Sequence, residues 1–376
     1  MYEPIPGNVM FRSLKDQGTI VMAVNLRMTR GLARGIFRAA QDLDAPVIFE
    51  IARSECDQNG GYTGMRPMDY AEQIRKAAQE VEFDMWSLHA DHITVKKGTP
   101  EDIAGTKELI DLQVEAGFTS FAIDASHLFN FKGGNLREEL ALNIDATTEL
   151  AHHIKQKMGS NPFGLEVEVG EIGKEDANGK VVTTPDEAVT FIKALNENGV
   201  EPDVIAIANG TTHGNVYDDR GNVIEQVGID LEQTRKVAAA LRDMGSPVRI
   251  AQHGITGTPR ELINTMFPKG DILKGNVATF WQNIVIDTVK VYDPELYREI
   301  WDWVQATYGP KNPGKPANTI FGKNVKNAFG QFSIRFKNLE FECVDTIESM
   351  AYAEARTFFR AFSSTNTASL VREAME

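Results

Sequence analysis

Cysteine, histidine, positive charge and long apolar runs are all scarce in this chain, and each shortage removes a class of protein. Cys56 and Cys343 are the only cysteines in 376 residues. They lie far apart and in no Cys-spacing motif, which excludes a disulfide framework and a cysteine-held zinc. No apolar run approaches the roughly 18 residues that suggest a membrane span, so no membrane partner is expected. Met1 to Lys15 lacks the basic segment and apolar stretch of a secretory signal, and the expected location is cytoplasmic. Lys and Arg number 39 against 53 Asp and Glu, a net charge of -14. Nucleic-acid binding needs a basic face, so no nucleic-acid partner is expected. An anionic small molecule stays open, because helix N-termini and a bound metal supply local positive field. No Gly-x-Gly-x-x-Gly follows the first apolar run, which counts against a dinucleotide-binding open sheet.

What is present is a regular alternation. The chain is 42% hydrophobic, enough for a large core. Short apolar runs predict strands at Thr19–Val24, Pro46–Ile51, Asp84–His89, Ser120–Ile123, Gly164–Val169, Asp203–Ile207, Val248–Gln252 and Ile272–Val277. Amphipathic stretches between them predict helices at Thr29–Leu43, Pro67–Val81, Pro100–Ala116, Leu136–Lys157, Thr184–Asn196, Leu231–Asp243 and Thr258–Met266. Thr29, Pro67, Thr99-Pro100 and Thr184-Pro185 are start signals. Strands alternating with helices pair in parallel, and eight such units make an α/β fold, the (β/α)8 TIM barrel. A doubly wound open sheet is the alternative. Past about Lys290 the rhythm stops. Helices are expected at Asp293–Ala306 and Glu342–Phe362, with a loop or arm at Tyr308–Asn324 rich in Pro, Gly, Asn and Lys. The division is a catalytic barrel over 1–290 and a C-terminal helical extension of the same domain over 291–376. Tyr297, Trp301 and Trp303 in that extension suit an interface, so a homo-oligomer, dimer or tetramer, is expected.

Polar residues recur at the expected C-terminal strand ends: Asn25, Glu50, Asp91 with His92, Asp124 with Ser126, Glu168, Asn209 through His213, His253 and Asn276. In a barrel these face one mouth. His92, His213 and His253 each follow a short apolar run, and glycine follows two of them. Neutral imidazole is a common zinc ligand, and three histidines with an open position suit a catalytic metal. A lone histidine of this kind would read as core; three together read as a site. His152 and His153 read as surface. His89 fits either support for His92 or core, and His127 stays unassigned. Asp91 is placed to act as acid or base at the metal, or to support its neighbour. Glu166 and Glu168 share a face and need buried cations or donors. Gly254-Ile255-Thr256-Gly257 and Gly275-Asn276-Val277-Ala278-Thr279 follow the last two strands, where barrels hold phosphate on backbone N–H groups.

These residues resemble the zinc-dependent class II fructose-bisphosphate/tagatose-bisphosphate aldolases. The likeness runs from about Val21 to Gln282. It is carried by Leu-His-Ala-Asp-His (88–92), Ile-Asp-Ala-Ser-His (123–127), Glu-Val-Glu-Val-Gly-Glu-Ile-Gly-Lys-Glu-Asp (166–176), Gly-Thr-Thr-His-Gly (210–214), His-Gly-Ile-Thr-Gly (253–257) and Asn-Val-Ala-Thr (276–279). The resemblance implies that His92, His213 and His253 hold Zn2+ or another divalent metal, with Glu168 and Asp124 as alternative or second-metal ligands. It implies Asp91 as the acid/base on the aldehyde oxygen and Glu175 or Asp176 as the group that exchanges the enediolate proton. Gly214, Gly254, Thr256, Asn276 and Thr279 would hold the dihydroxyacetone phosphate end, with a monovalent cation near Gly214 and Gly254. The implied reaction is reversible cleavage of a ketose 1-phosphate or bisphosphate, foremost fructose 1,6-bisphosphate, to dihydroxyacetone phosphate and an aldehyde. The small-molecule partner is therefore a sugar phosphate.

The sequence departs from the family at Phe280, where an aspartate is usual, and at Glu50-Ile51-Ala52-Arg53-Ser54-Glu55 after the second strand. No arginine for a second phosphate is assignable. Another sugar is thus an alternative: tagatose or sedoheptulose bisphosphate, or a modified ketose 1-phosphate. So is a non-catalytic barrel subunit assisting an aldolase. A metal-dependent hydrolase would use the same ligands on water but would not need two phosphate loops. A Schiff-base aldolase would need a desolvated lysine, for which Lys274 is the candidate.

Overall fold

Eight parallel strands close on themselves in the computed structural model, which describes residues 2–170, 175–176, 179–212 and 214–376, the side chains of 175–176 and 179–180 excepted. The barrel strands among the described residues are β1 (Val21–Asn25), β2 (Val47–Ala52), β3 (Trp86–Thr94), β4 (Ser120–Asp124), β5 (Gly164–Glu168), β6 (Val204–Ala206), β7 (Arg249–Gln252) and β8 (Ile272–Val277). Each pairs with its sequence neighbours, and β1 pairs with β8 to close the ring. The strands are covered on both faces, so they read as continuous rather than alternating apolar runs. The (β/α)8 expectation holds, and the open sheet is excluded.

Helices Leu32–Leu43, Pro67–Val81, Pro100–Glu115, Leu136–Met158, Pro185–Glu197, Leu231–Asp243, Arg260–Met266 and Thr279–Tyr292 follow the strands in turn. Their starts follow local chemistry. Thr99 accepts from the Asp102 N–H, and Thr184 forms a reciprocal box with Glu187. Thr29 does not cap its helix. That helix begins at Leu32 behind Gly31, and the Thr29 hydroxyl bonds Gln73 instead.

Three segments differ from the sequence expectation. β3 runs on to Thr94 rather than stopping at His89, because its pairing with β4 shifts register between Ala90 and Ile93. At that irregularity His92 has φ 39°, a left-handed backbone that costs energy for a non-glycine residue. A helix at Gly7–Leu14 closes the N-terminal end of the barrel, where a Cβ on Gly7 would lie 2.6 Å from Ser120. The Tyr308–Asn324 segment is not all loop, since Ala317–Asn324 is helical after Pro316.

The C-terminal region clasps the barrel. Helix Phe341–Ala361 lies so close on Leu32–Leu43 that a Cβ on Gly35 would stand 2.3 Å from the Glu348 carbonyl oxygen. The chain then returns to β1 through the Ile20 N–H to Phe362 carbonyl bond at 3.0 Å. Its aromatics are used internally: Tyr297 and Trp301 pack on Phe321, and Trp303 packs on Tyr308 and Phe332. No helix among the described residues is long and apolar enough to cross a membrane.

Candidate active site

The C-terminal mouth gathers the expected residues from four strand ends. His92 on β3 presents Nδ1 3.1 Å from Glu168 on β5 and 3.4 Å from Asp124 on β4. His253 directly follows β7, and its ring centre lies 4.6 Å from that of His92. Two donor groups result, each with its ligand atoms within 4.8 Å of one another: Asp91, His92 and His253, and His92, Asp124 and Glu168. His92 belongs to both. Two imidazoles with buried carboxylates suit a divalent ion such as zinc. His213 lies outside the described residues. So do the side chains of Glu175 and Asp176, whose backbones form a short antiparallel pair with Gly179–Lys180.

The electrostatics of this group are those of a site crowded with acid. Burial pushes Glu168 up to about 8, with Asp124 adding to the rise. Burial disfavours a charged His92, but Asp91, Glu168 and Asp124 outweigh it and push the ring well above its ordinary value. Asp124 resists the upward pull of burial and is held below the usual carboxylate range by His92 and by the Ser126 hydroxyl, 2.7 Å away. Crowded acids of this kind are what a bound cation relieves.

A second cluster lies deeper in the barrel around Lys274, which is fully buried. Its ammonium is 2.7 Å from Glu166, 2.9 Å from Glu50 and 3.9 Å from Asp91, and 3.2 Å from His89 Nε2. Glu50, His89 and Asp91 also form a possible ligand group, but the lysine is the cation that serves them. Burial alone would lower the Lys274 pKa, yet Glu166, Glu50 and Asp91 raise it. An amine so held is an ammonium, not the neutral nucleophile of a Schiff-base enzyme. Glu166 also contacts His253 Nε2 at 2.9 Å. His89 is therefore support within this network, with Ser120 at 2.7 Å from its Nδ1.

The residues of the two glycine-containing loops after β7 and β8 also come together. The Phe280 N–H donates to Thr256 Oγ1 at 3.3 Å, linking the loops after β7 and β8. A Cβ on Gly214 would sit 3.6 Å from Thr279 Oγ1. Gly254 has φ 68°, and a Cβ there would meet Thr211 at 2.8 Å, so the close approach of these loops requires glycine. Thr279 opens helix Thr279–Tyr292, whose N-terminal amides favour an anion. Asn276 turns its Nδ2 onto Glu50, at 2.9 and 3.1 Å, and lies 3.4 Å from Asp91.

The family model described as "Fructose-bisphosphate aldolase class-II" matches residues 6–335. The chain belongs to the class II fructose-bisphosphate aldolase family. It is thus an aldolase, a carbon–carbon lyase of a metal-dependent class. A fructose-bisphosphate aldolase of Streptococcus pneumoniae is 28% identical over 270 residues, 71% of this chain and 76% of that protein. The D-tagatose-1,6-bisphosphate aldolase subunit GatZ of Salmonella choleraesuis is 38% identical, but over 89 residues, 22% of this chain and 21% of that one. Two solved structures share the fold: the YdjI aldolase of Escherichia coli K12 (TM-score 0.60, 17% identity, 97% and 99% of the two chains) and a fructose-bisphosphate aldolase of Campylobacter jejuni (TM-score 0.60, 20% identity, 97% of each).

Sequence reading missed the group on the β1 side of the mouth. Arg27, Glu55 and Tyr62 bond one another there, and Arg27 reaches Thr279. The available signal was the long polar loop after β2, the kind of segment that carries function in a barrel.

Proposed function

We propose that the chain reversibly cleaves a ketose phosphorylated at carbon 1, with fructose 1,6-bisphosphate the first substrate to test, to dihydroxyacetone phosphate and an aldehyde. The observation that carries this is the meeting of His92, His253, Asp124 and Glu168 beside paired threonine loops. His92 and His253, with His213 by motif, would hold zinc or a related divalent ion, and Glu168 and Asp124 would lie beside it. Such an ion supplies Lewis-acid polarisation of the ketone.

The chain's own groups do the rest. Thr256 and Thr279 donate to the phosphate, Gly214 and Gly254 allow its close approach, and Asn276 orients the sugar. A monovalent cation near Gly214 and Gly254 belongs to the same reading. Asp91 takes the C4 hydroxyl proton in cleavage and returns it to the aldehyde in synthesis. Glu175 or Asp176 protonates C3. Tagatose 1,6-bisphosphate is the second sugar to test, in view of the GatZ likeness. Assembly as a dimer or tetramer is supported by Val291, Ile334 and Phe341, exposed at 75%, 73% and 77%.

Dialysis against a strong chelator is expected to abolish cleavage, and zinc or cobalt to restore it. Full activity in the metal-free protein would sink the proposal. Thr256→Ala and Thr279→Ala are each expected to raise KM for phosphorylated ketoses about tenfold to hundredfold, the range for a hydrogen bond to a charged group. If KM and kcat both stay put, the phosphate does not sit between these loops. Equal cleavage of fructose and its bisphosphate would end the phosphate reading altogether.

A further inference from the structure

Phe280 is the residue at which the loop after β8 leaves the family pattern, and its ring has a defined task in the fold. It meets the Phe358 ring at 84°, with centres 5.2 Å apart. Arg260 fills the corner between them. Its guanidinium carbon lies 4.4 Å from the centre of Phe280 and 3.5 Å from that of Phe358. Phe358 belongs to the C-terminal helix Phe341–Ala361, Arg260 opens the helix after β7, and Phe280 lies in the first turn of the helix after β8. One cation therefore joins three separate segments.

The hydrogen bonds of Arg260 do not account for this placing. NH1 donates to the Thr258 carbonyl at 3.3 Å and NH2 to Glu354 at 3.4 Å, both long. Nε is buried and has no acceptor among the described residues. A planar guanidinium lies this way when ring faces, rather than acceptors, hold it.

Phe280 in turn reaches the site through its backbone. Its N–H donates to Oγ1 of the buried Thr256 at 3.3 Å. A hydroxyl carries one hydrogen, and with Phe280 as donor the Thr256 hydrogen is left for an acceptor at the mouth. At 3.3 Å that bond is already long, so a small shift of the Phe280 backbone would break it and let the hydroxyl turn.

We infer that Arg260 is a positioning residue for the phosphate half of the reaction. It locks the Phe280 ring against the C-terminal helix, and the Phe280 N–H then keeps Thr256 turned as a donor to the substrate phosphate. This rests on the aldolase reading above and adds to it a part for helix Phe341–Ala361 in substrate affinity.

The test is condensation of dihydroxyacetone phosphate with glyceraldehyde 3-phosphate by the metal-loaded chain, each substrate varied in turn. Arg260→Ala is expected to raise KM for dihydroxyacetone phosphate about tenfold, the scale of one hydrogen bond. KM for the aldehyde and metal per chain should stay as they are, which a general loosening of the fold would not allow. Phe280→Leu removes the ring and keeps the N–H, and should raise the same KM. The double variant should be no worse than the worse single one, because both act through one contact. Glu354→Gln breaks the ion pair, leaves the stack, and should leave both KM values unchanged. If Arg260→Ala does not fold, Phe358→Leu removes the nearer ring face and takes its place. No rise in KM, an equal rise for both substrates, additive effects in the double variant, or a rise in Glu354→Gln as large as in Arg260→Ala each overturns the inference. Failure of the wild-type chain to condense dihydroxyacetone phosphate with any aldehyde would defeat the aldolase reading itself, a separate result.

Discussion

Lys274→Met should destabilise the protein by about 3–5 kcal/mol, the cost of breaking a buried ion network from one side. Lys274 is fully buried and within 4 Å of Glu166, Glu50 and Asp91. Its ammonium is the reason Glu166 stays ionised. Burial would raise the Glu166 pKa, but Lys274 first, then His253 and His89, hold it well below the usual carboxylate range. Glu50 shows the opposite balance, pushed up to about 8 by burial and by Asp91 despite the lysine. Methionine has a similar length and no charge, so the packing is kept while the acids lose their cation. Urea unfolding of the variant against the wild-type chain measures the loss. A change below about 1 kcal/mol, the scale of an exposed pair, would mean that Lys274 does not hold these acids.

That network also shows which parts of the molecule can be read before folding. All eight barrel strands are legible because a strand buried on both faces must be apolar along its length, as in Val-Met-Ala-Val and Val-Ile-Phe. Helices that open on a proline, such as Pro67–Val81, are legible to within a residue, whereas those read from Thr29 and Thr258 begin later, at Leu32 and Arg260. The helix Gly7–Leu14 has neither a side-chain cap nor an acidic first turn, and its cause is tertiary: it fills the barrel end. Ala317–Asn324 hides in a composition that resembles loop. β3 outruns its apolar stretch because the register shift turns Ala-Asp-His into strand. The site divides the same way. His92, Asp124, Glu168 and His253 stand at strand ends, where the sequence marks them. Arg27 stands 28 residues from Glu55 and 35 from Tyr62, and no local pattern records that their side chains meet.

Asp91→Ala is expected to keep its metal and lose about 10²–10⁴ in kcat, the usual contribution of a general acid or base. Asp91 is 4% exposed and shares a donor group with His92 and His253, so it stands next to any ion they hold. Burial would raise its pKa, but His92, Lys274 and His253 bring it below the ordinary aspartate value. It therefore enters cleavage ionised, able to take the hydroxyl proton. Asn276 Nδ2 at 3.4 Å and Lys274 at 3.9 Å both address its Oδ1 and fix the carboxylate. Glu166 still pairs with Lys274 at 2.7 Å when Asp91 is removed, so the variant should fold, unlike one that removes the lysine. Metal content and single-turnover cleavage on the same preparation separate the roles. One ion per chain with slow cleavage identifies an acid/base. Less than one ion per chain makes Asp91 a ligand or a support for His92, whose left-handed backbone at the next position depends on its surroundings. Metal retained with an undiminished rate would leave Asp91 no part in the chemistry and pass the hydroxyl proton to another group at the mouth.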